Sequence, residues 1–267
     1  MSFVNIPGGR LAYAWHGDHA GTPLLLIRPL GGTMALWDPF RLALAERVRV
    51  LSFDLRGTGA SSAHAPFGTR AIARDALALL RALGVPRAHV FGISLGGMAA
   101  TWLALDAPSS IARLCIACAP PLGLELTHAG LRRELAMAAC FLRPRGEVEP
   151  ALVTRVLSHR FRREHPDRVR RIAHTVAANP STRASLFGHA LAGLLHRPRH
   201  LSQLRVPTLV LSGQHDGLLG SAPPRELAAK IPGAEWCEIP DSGHDLTLEQ
   251  PDETARVVLA YLERNLA

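Results

Sequence analysis

Of the 30 basic residues in this 267-residue chain, only Lys230 is a lysine. The rest are arginines, and they leave a formal net charge of +8 at pH 7. Such a charge ordinarily points to a phosphate-rich partner, but the features that would use it are missing. There is no zinc-finger spacing, no aromatic box of the RNA-binding kind and no basic helix with heptads. At 5% aromatic residues, the chain also has little to stack against bases. Nucleic acid is therefore not expected as a partner. No apolar run approaches the ~20 residues that span a bilayer, so no membrane is expected either. The opening MSFVNIPGGRLAYAWHGD has no basic n-region, apolar block or small-residue cleavage site, and the chain reads as cytoplasmic. Four cysteines, Cys115, Cys118, Cys140 and Cys237, are too sparse for a disulfide framework.

What is present is a rhythm. Hydrophobic residues make up 48% of the chain, enough for a large α/β domain with or without a smaller lobe. Strand-like stretches (RLAYAWHG, TPLLLIRPL, RVRVLSFDL, RAHVFGI, IARLCIACAP, VPTLVLSG, AEWCEIP) are separated by helix-like ones. The clearest helices are TRAIARDALALLRALGV, which stops at Gly84 with Pro86 beyond it, and the closing DETARVVLAYLERNLA. This order implies a mostly parallel sheet flanked by helices on both faces. Residues 122–200 break the rhythm: they are helix-prone, hold no convincing strand and carry about half of the arginines. They are expected to form a helical cap, or lid, inserted between core strands, with residues 1–121 and 201–267 making the α/β core. Its arginines, Arg160, Arg162 and Arg163 among them, are read as a solvated face.

One junction concentrates the chemistry. In HVFGISLGGMAAT (89–101), Ser94 sits among Gly92, Gly96 and Gly97, after an apolar strand and before a small-residue helix. Glycine in an element interior costs roughly 0.5–1 kcal/mol relative to alanine, so three together imply a backbone path that a Cβ would obstruct. A serine hydroxyl is a weak nucleophile and needs a base in hydrogen-bond reach and donors for the oxyanion it creates. A sharp strand-to-helix turn exposes the serine. It also aims the backbone N–H of Leu95, at the helix N-terminus, to where an oxyanion would sit.

With this motif, the stretches DLRGTGASS (54–62), VLSGQHD (210–216) and PDSGHDLTLEQPDE (240–253) make the sequence resemble the α/β-hydrolase family over nearly its whole length. Cap-bearing esterases, enol-lactonases and cofactor-free perhydrolases look nearest. The family's order of nucleophile, acid and histidine implies Ser94, Asp216 and His244. The residues agree with it. His244 follows a predicted strand on the side where ligands bind in open α/β sheets, and Asp216 ends the strand TLVLSG. Asp241 and Asp245 are nearer in sequence, but immediate neighbours tend to point away from the histidine. Asp216 would hold the imidazole tautomer and stabilise the imidazolium. The resemblance further implies that Leu30 gives a second oxyanion N–H. Here, however, Arg28-Pro29 stands where the family usually has His-Gly, and proline fixes φ and removes a donor. Arg28 is either a binder of a substrate carboxylate or solvated.

Trp37, Met98, His128 and Phe141, with Trp102 and Cys140, are candidates to line a substrate pocket or to be plain core. RGTGASS lacks the third glycine of a dinucleotide-binding turn and reads as structural. His196 and His200 have metal-like spacing, but Pro198 lies between them. Cys115 and Cys118 are three apart in a predicted strand and are expected on opposite faces, as core thiols. The expected protein is a serine hydrolase of a small-to-medium ester, lactone or thioester, with no metal or organic cofactor and a small-molecule substrate. Its oligomeric state is left open, a homo-oligomer included. A perhydrolase or a C–C bond hydrolase would share the machinery, and a non-catalytic ligand receptor on the same fold is the reading from a different class.

Overall fold

The computed structural model describes residues 1–44, 47–62, 67–123, 130, 135, 139–140, 148–179 and 181–264. Eight strands form one sheet: β1 (Ser2–Ile6), β2 (Gly9–His16), β3 (Leu24–Ile27), β4 (Val50–Phe53), β5 (Ala88–Ile93), β6 (Ile111–Ala117), β7 (Thr208–Gly213) and β8 (Glu235–Ile239). Their spatial order is β1-β2-β4-β3-β5-β6-β7-β8. The two N-terminal strands run antiparallel to their neighbours, and every pairing from β4 to β8 is parallel. The short edge strand β1 carries too little apolar pattern to stand out in the sequence, and only pairing with β2 reveals it.

Strand alternation divides the core into two layers. Leu25, Ile27, Val90, Ile116 and Val210 face α2 (Thr69–Ala82), α3 (Leu95–Asp106) and the helix Ala222–Lys230. Leu24, Leu26, Phe91, Cys115 and Leu211 face α1 (Asp38–Leu44) and the closing helix Pro251–Leu262. Helices on both faces bury β3, β4, β6 and β7 along their whole length, which is why these strands are mostly apolar and show no clean in-out alternation. The turn after β4 is structural, as its sequence suggests. Asp54 accepts from the backbone N–H groups of Met34 and Ala60, and Arg56 pairs with Asp75 at 2.6 Å.

Two expectations are corrected here. Trp37 is no pocket residue: it is fully buried in the second layer, 5.9 Å between ring centroids from both Phe40 and Phe91. An apolar pattern alone does not separate core from cavity wall. Cys115 and Cys118 do not face opposite sides either. Strand β6 ends at Ala117 and Cys118 adopts φ +47°, which breaks the alternation and turns both thiols to the same layer.

Between β6 and β7 the described residues form only helices: α4 (Val148–Val156), α5 (His159–Glu164), α6 (Pro166–Ala178) and α7 (Arg183–Leu194). The helices Ala222–Lys230, Leu246–Glu249 and Pro251–Leu262 follow as α8, α9 and α10. Leu157, Phe161, Ile172 and Val176 of the inserted segment pack on Leu36 and Leu248. Polar ties reinforce the seam, since Ser158 gives both its N–H and its hydroxyl to Glu249 at 2.7 and 2.6 Å. Among the described residues no helix is long and apolar enough to cross a membrane.

Phe91 joins the central strand β5 to the Trp37 and Phe40 rings, so its loss leaves a cavity the neighbours cannot close. Phe91→Ala is expected to lower unfolding free energy by about 3–5 kcal/mol, read as a lower urea midpoint with an unchanged slope.

Candidate active site

The question raised by the glycines around Ser94 has a geometric answer. A Cβ on Gly92 would lie 2.3 Å from the Gly96 carbonyl oxygen, and one on Gly96 would lie 2.1 Å from the carbonyl oxygen of Ile27. Strand β5, helix α3 and the end of β3 therefore meet backbone to backbone. Their closeness forces the chain through Ser94 at φ 54°, ψ −118°, a conformation costly for a non-glycine residue. The Ser94 N–H is secured to the Ala117 carbonyl at 2.8 Å, which holds the turn in place.

Ser94 Oγ lies 2.9 Å from His244 Nε2, and His244 Nδ1 lies 2.8 Å from Asp216 Oδ2. An ionised carboxylate only accepts, so Nδ1 carries the proton and Nε2 is left to accept from the serine hydroxyl. Burial alone would raise the Asp216 pKa. The neighbouring His244, its hydrogen bond and the N–H groups of Leu218 and Leu219 outweigh that and hold the carboxyl below its ordinary value. The other two carboxylates near His244 in sequence are engaged elsewhere: Asp241 with Arg160, Asp245 with Arg28.

The histidine loop is held from the inserted helices. Val156 at the end of α4 accepts from the N–H groups of both His244 and Asp245, at 3.1 and 3.2 Å. From the other side Arg28 donates to Asp245 at 2.7 Å and stacks over the Trp37 ring at 4.6 Å. Arg28 and Asp245 are each 1% exposed, so the charge of Arg28 is spent within the protein and the guanidinium is not solvated. The pair thereby ties the loop carrying Leu30 to the loop carrying His244.

A cavity of about 150 Å³ opens beside Ser94. Leu30, Leu95 and Met98 line it, as their sequence positions suggest, and Arg28 reaches its wall. Leu95 is the first residue of α3, where an N–H has no acceptor within the helix. Trp37 lies outside the cavity wall, and His128 and Phe141 fall outside the described residues. Three lining residues had no signal of their own in the sequence. Cys118 lies under the site, its thiol pushed well up by burial and by the Asp216 charge. Leu186 and His189 come from α7. Among the described residues, the donor atoms of Cys118, Asp216 and His244 lie within 4.8 Å of one another, but a metal there would displace the hydrogen-bond chain just described.

A half-buried serine on a strand-to-helix turn, bonded to a histidine that is bonded to an acid, on a mostly parallel eight-stranded sheet, defines the class. The chain belongs to the α/β hydrolase fold family, whose model matches residues 22–251, and it is an α/β-hydrolase enzyme. It is 30% identical to a protein of Azorhizobium caulinodans provisionally named a carbamate hydrolase, over 98% of both chains. It is 32% identical to rhodomycin D methylesterase of a Streptomyces species, over 92% of both. Among solved structures, a hydrolase from Pseudomonas aeruginosa superposes with a TM-score of 0.85 at 32% identity, covering 98% of each chain.

Removing one member of the buried pair should cost more than removing both. Arg28→Met leaves Asp245 charged and buried, and unfolding free energy is expected to fall by about 3–5 kcal/mol. Arg28→Met combined with Asp245→Leu should recover most of that loss in urea unfolding.

Proposed function

We propose that the protein is a serine hydrolase of small, uncharged carboxylic acid derivatives, with Ser94 as nucleophile, His244 as general base and Asp216 as its orienting acid. The observation that carries this reading is the unbroken hydrogen-bond chain from Ser94 Oγ through both nitrogens of His244 to Asp216. Ser94 attacks the substrate carbonyl as His244 takes its proton, and the developing oxyanion is met by the N–H groups of Leu95 and Leu30. Protonated His244 then gives its proton to the leaving group. The acyl-enzyme is hydrolysed by a water that His244 deprotonates in turn. The chain's own residues supply each of these roles, so the reaction as written uses no metal or organic cofactor.

The relatives' names support the same chemistry. A carbamate, an enol-lactone and a methyl ester each present a carbonyl joined to a leaving heteroatom. The small apolar cavity supports a short acyl group, and the neutralisation of Arg28 by Asp245 argues against a carboxylate-bearing substrate. Helices α4–α7, which reach over the cavity and hold the histidine loop, are read as the described part of a cap. The sparse cysteines, with Cys115 and Cys118 as buried thiols, suit a reducing, cytoplasmic setting.

Hydrolysis of 4-nitrophenyl butyrate tests the assignment. Ser94→Ala should lower kcat by a factor on the order of 10⁴ or more, and Asp216→Asn by about 10⁴ through the wrong imidazole tautomer. A Ser94→Ala protein that retains wild-type turnover would remove the proposal.

A further inference from the structure

Helix α7 presents one stripe to the cavity: Leu186, His189, Ala190, Gly193 and Leu194, spaced as i, i+3, i+4, i+7 and i+8. Both ends of the stripe touch the machinery. A Cβ on Gly31 would lie 2.6 Å from Leu186 Cδ2, so that end rests on the loop carrying Leu30. A Cβ on Gly193 would lie 3.6 Å from Leu95 Cδ1 and 4.0 Å from Met98 Sδ, so the other end rests on the start of α3. His189 lies between them, displaced along the axis by about 4.5 Å from Leu186 and about 6 Å from Gly193. The helix thus sets His189 in the wall of the cavity that Ser94 also lines, with neither ring nitrogen open to it in this conformation.

His189 is wholly buried, and neither ring nitrogen has a hydrogen-bond partner. Leaving buried polar atoms unsatisfied costs about 1–3 kcal/mol. An apolar residue at this position would avoid that penalty in a wall made mostly of apolar side chains. Phe67 supports the ring edge-on, with centroids 5.5 Å apart. The backbone carbonyl of Arg56 lies against the ring without reaching hydrogen-bond geometry, and favours a proton on the nitrogen nearest it. Burial holds the pKa down to about 4, so the ring is neutral at pH 7. A neutral ring with one nitrogen protonated keeps a lone pair on the other.

From this geometry we infer that His189 is a specificity-determining residue: turned from the wall toward the cavity, its free lone pair accepts a hydrogen bond from a neutral donor, a hydroxyl or an N–H, carried by the substrate a few bonds from the scissile carbonyl. The inference rests on the hydrolase reading above and narrows its substrate class. The preferred substrate is a small hydroxylated or amide-bearing acyl compound, and a plain aliphatic ester of equal length is a poorer one. A buried acceptor left unmatched discriminates more strongly than a missing methylene does.

Matched esters test it: 4-nitrophenyl butyrate against its 2-hydroxy, 3-hydroxy and 2-acetamido counterparts. The wild type should favour at least one donor-bearing ester in kcat/KM by about tenfold. His189→Phe should bring that ratio to about one, and His189→Gln, which keeps an acceptor, should restore part of it. No preference for any donor position overturns the inference. So does an equal loss of all four activities in His189→Phe, because that is what a purely structural histidine would give. Calorimetric binding of the same esters to Ser94→Ala reads the contact without turnover. Tighter binding of a donor-bearing ester, lost with His189→Phe, supports the inference even if wild-type hydrolysis is absent and the hydrolase reading fails. Equal affinity for all four contradicts it.

Discussion

Three backbone segments meet at Ser94 at a distance that leaves no room for side chains, and the rest of the site depends on that approach. The carbonyls of Ile27 and Arg28 at the end of β3 stand where a Cβ of Gly96 would be, and the carbonyl of Gly96 stands where a Cβ of Gly92 would be. With those contacts made, the chain has no relaxed path from β5 into α3. The resulting strain falls on Ser94, the one non-glycine residue within the turn held at positive φ. The same approach sets the loop of Arg28, Pro29 and Leu30 beside the first free N–H of α3. Two potential oxyanion donors and the serine are therefore products of one packing constraint.

The histidine side is assembled differently, from long-range polar ties. His244 and Asp245 hang from the Val156 carbonyl of an inserted helix, and Asp245 is clamped by Arg28 from the loop that follows β3. A buried ion pair adds little net stability against an apolar replacement, but breaking one side of it is expensive. Its value here is positional. The pair locks the loop that follows β3 to the loop that follows β8, so Leu30 and His244 are held in one register. Helix α7 closes the arrangement from above, with Leu186 against one loop and Gly193 against α3.

The strand-to-helix turn and its serine were legible in the sequence because their requirements are local: an apolar strand, glycines at fixed offsets, then small residues. Asp216 and His244 were legible because each follows a strand at the end of the sheet where parallel strands terminate. Positions governed by tertiary contact were not. Trp37 has the composition of a pocket residue, and only the rings of Phe40 and Phe91 show it to be core. The facing of Cys118 does not follow the two-residue period, because a positive φ beyond β6 cancels it. The partner of Arg28 lies 217 residues away, and nothing in RPLGGT announces it. His189 carries no motif, and its lack of a partner is visible only once α7 is laid over the cavity.

The central claim is that a covalent bond forms and breaks at Ser94 during turnover. Rapid quenching of the wild-type enzyme with a butyrate ester, followed by peptide mass spectrometry, measures this directly. The account predicts a butyryl mass increment confined to the peptide containing Ser94, appearing before steady state and decaying as substrate is exhausted. Product formation with that peptide never modified would contradict it.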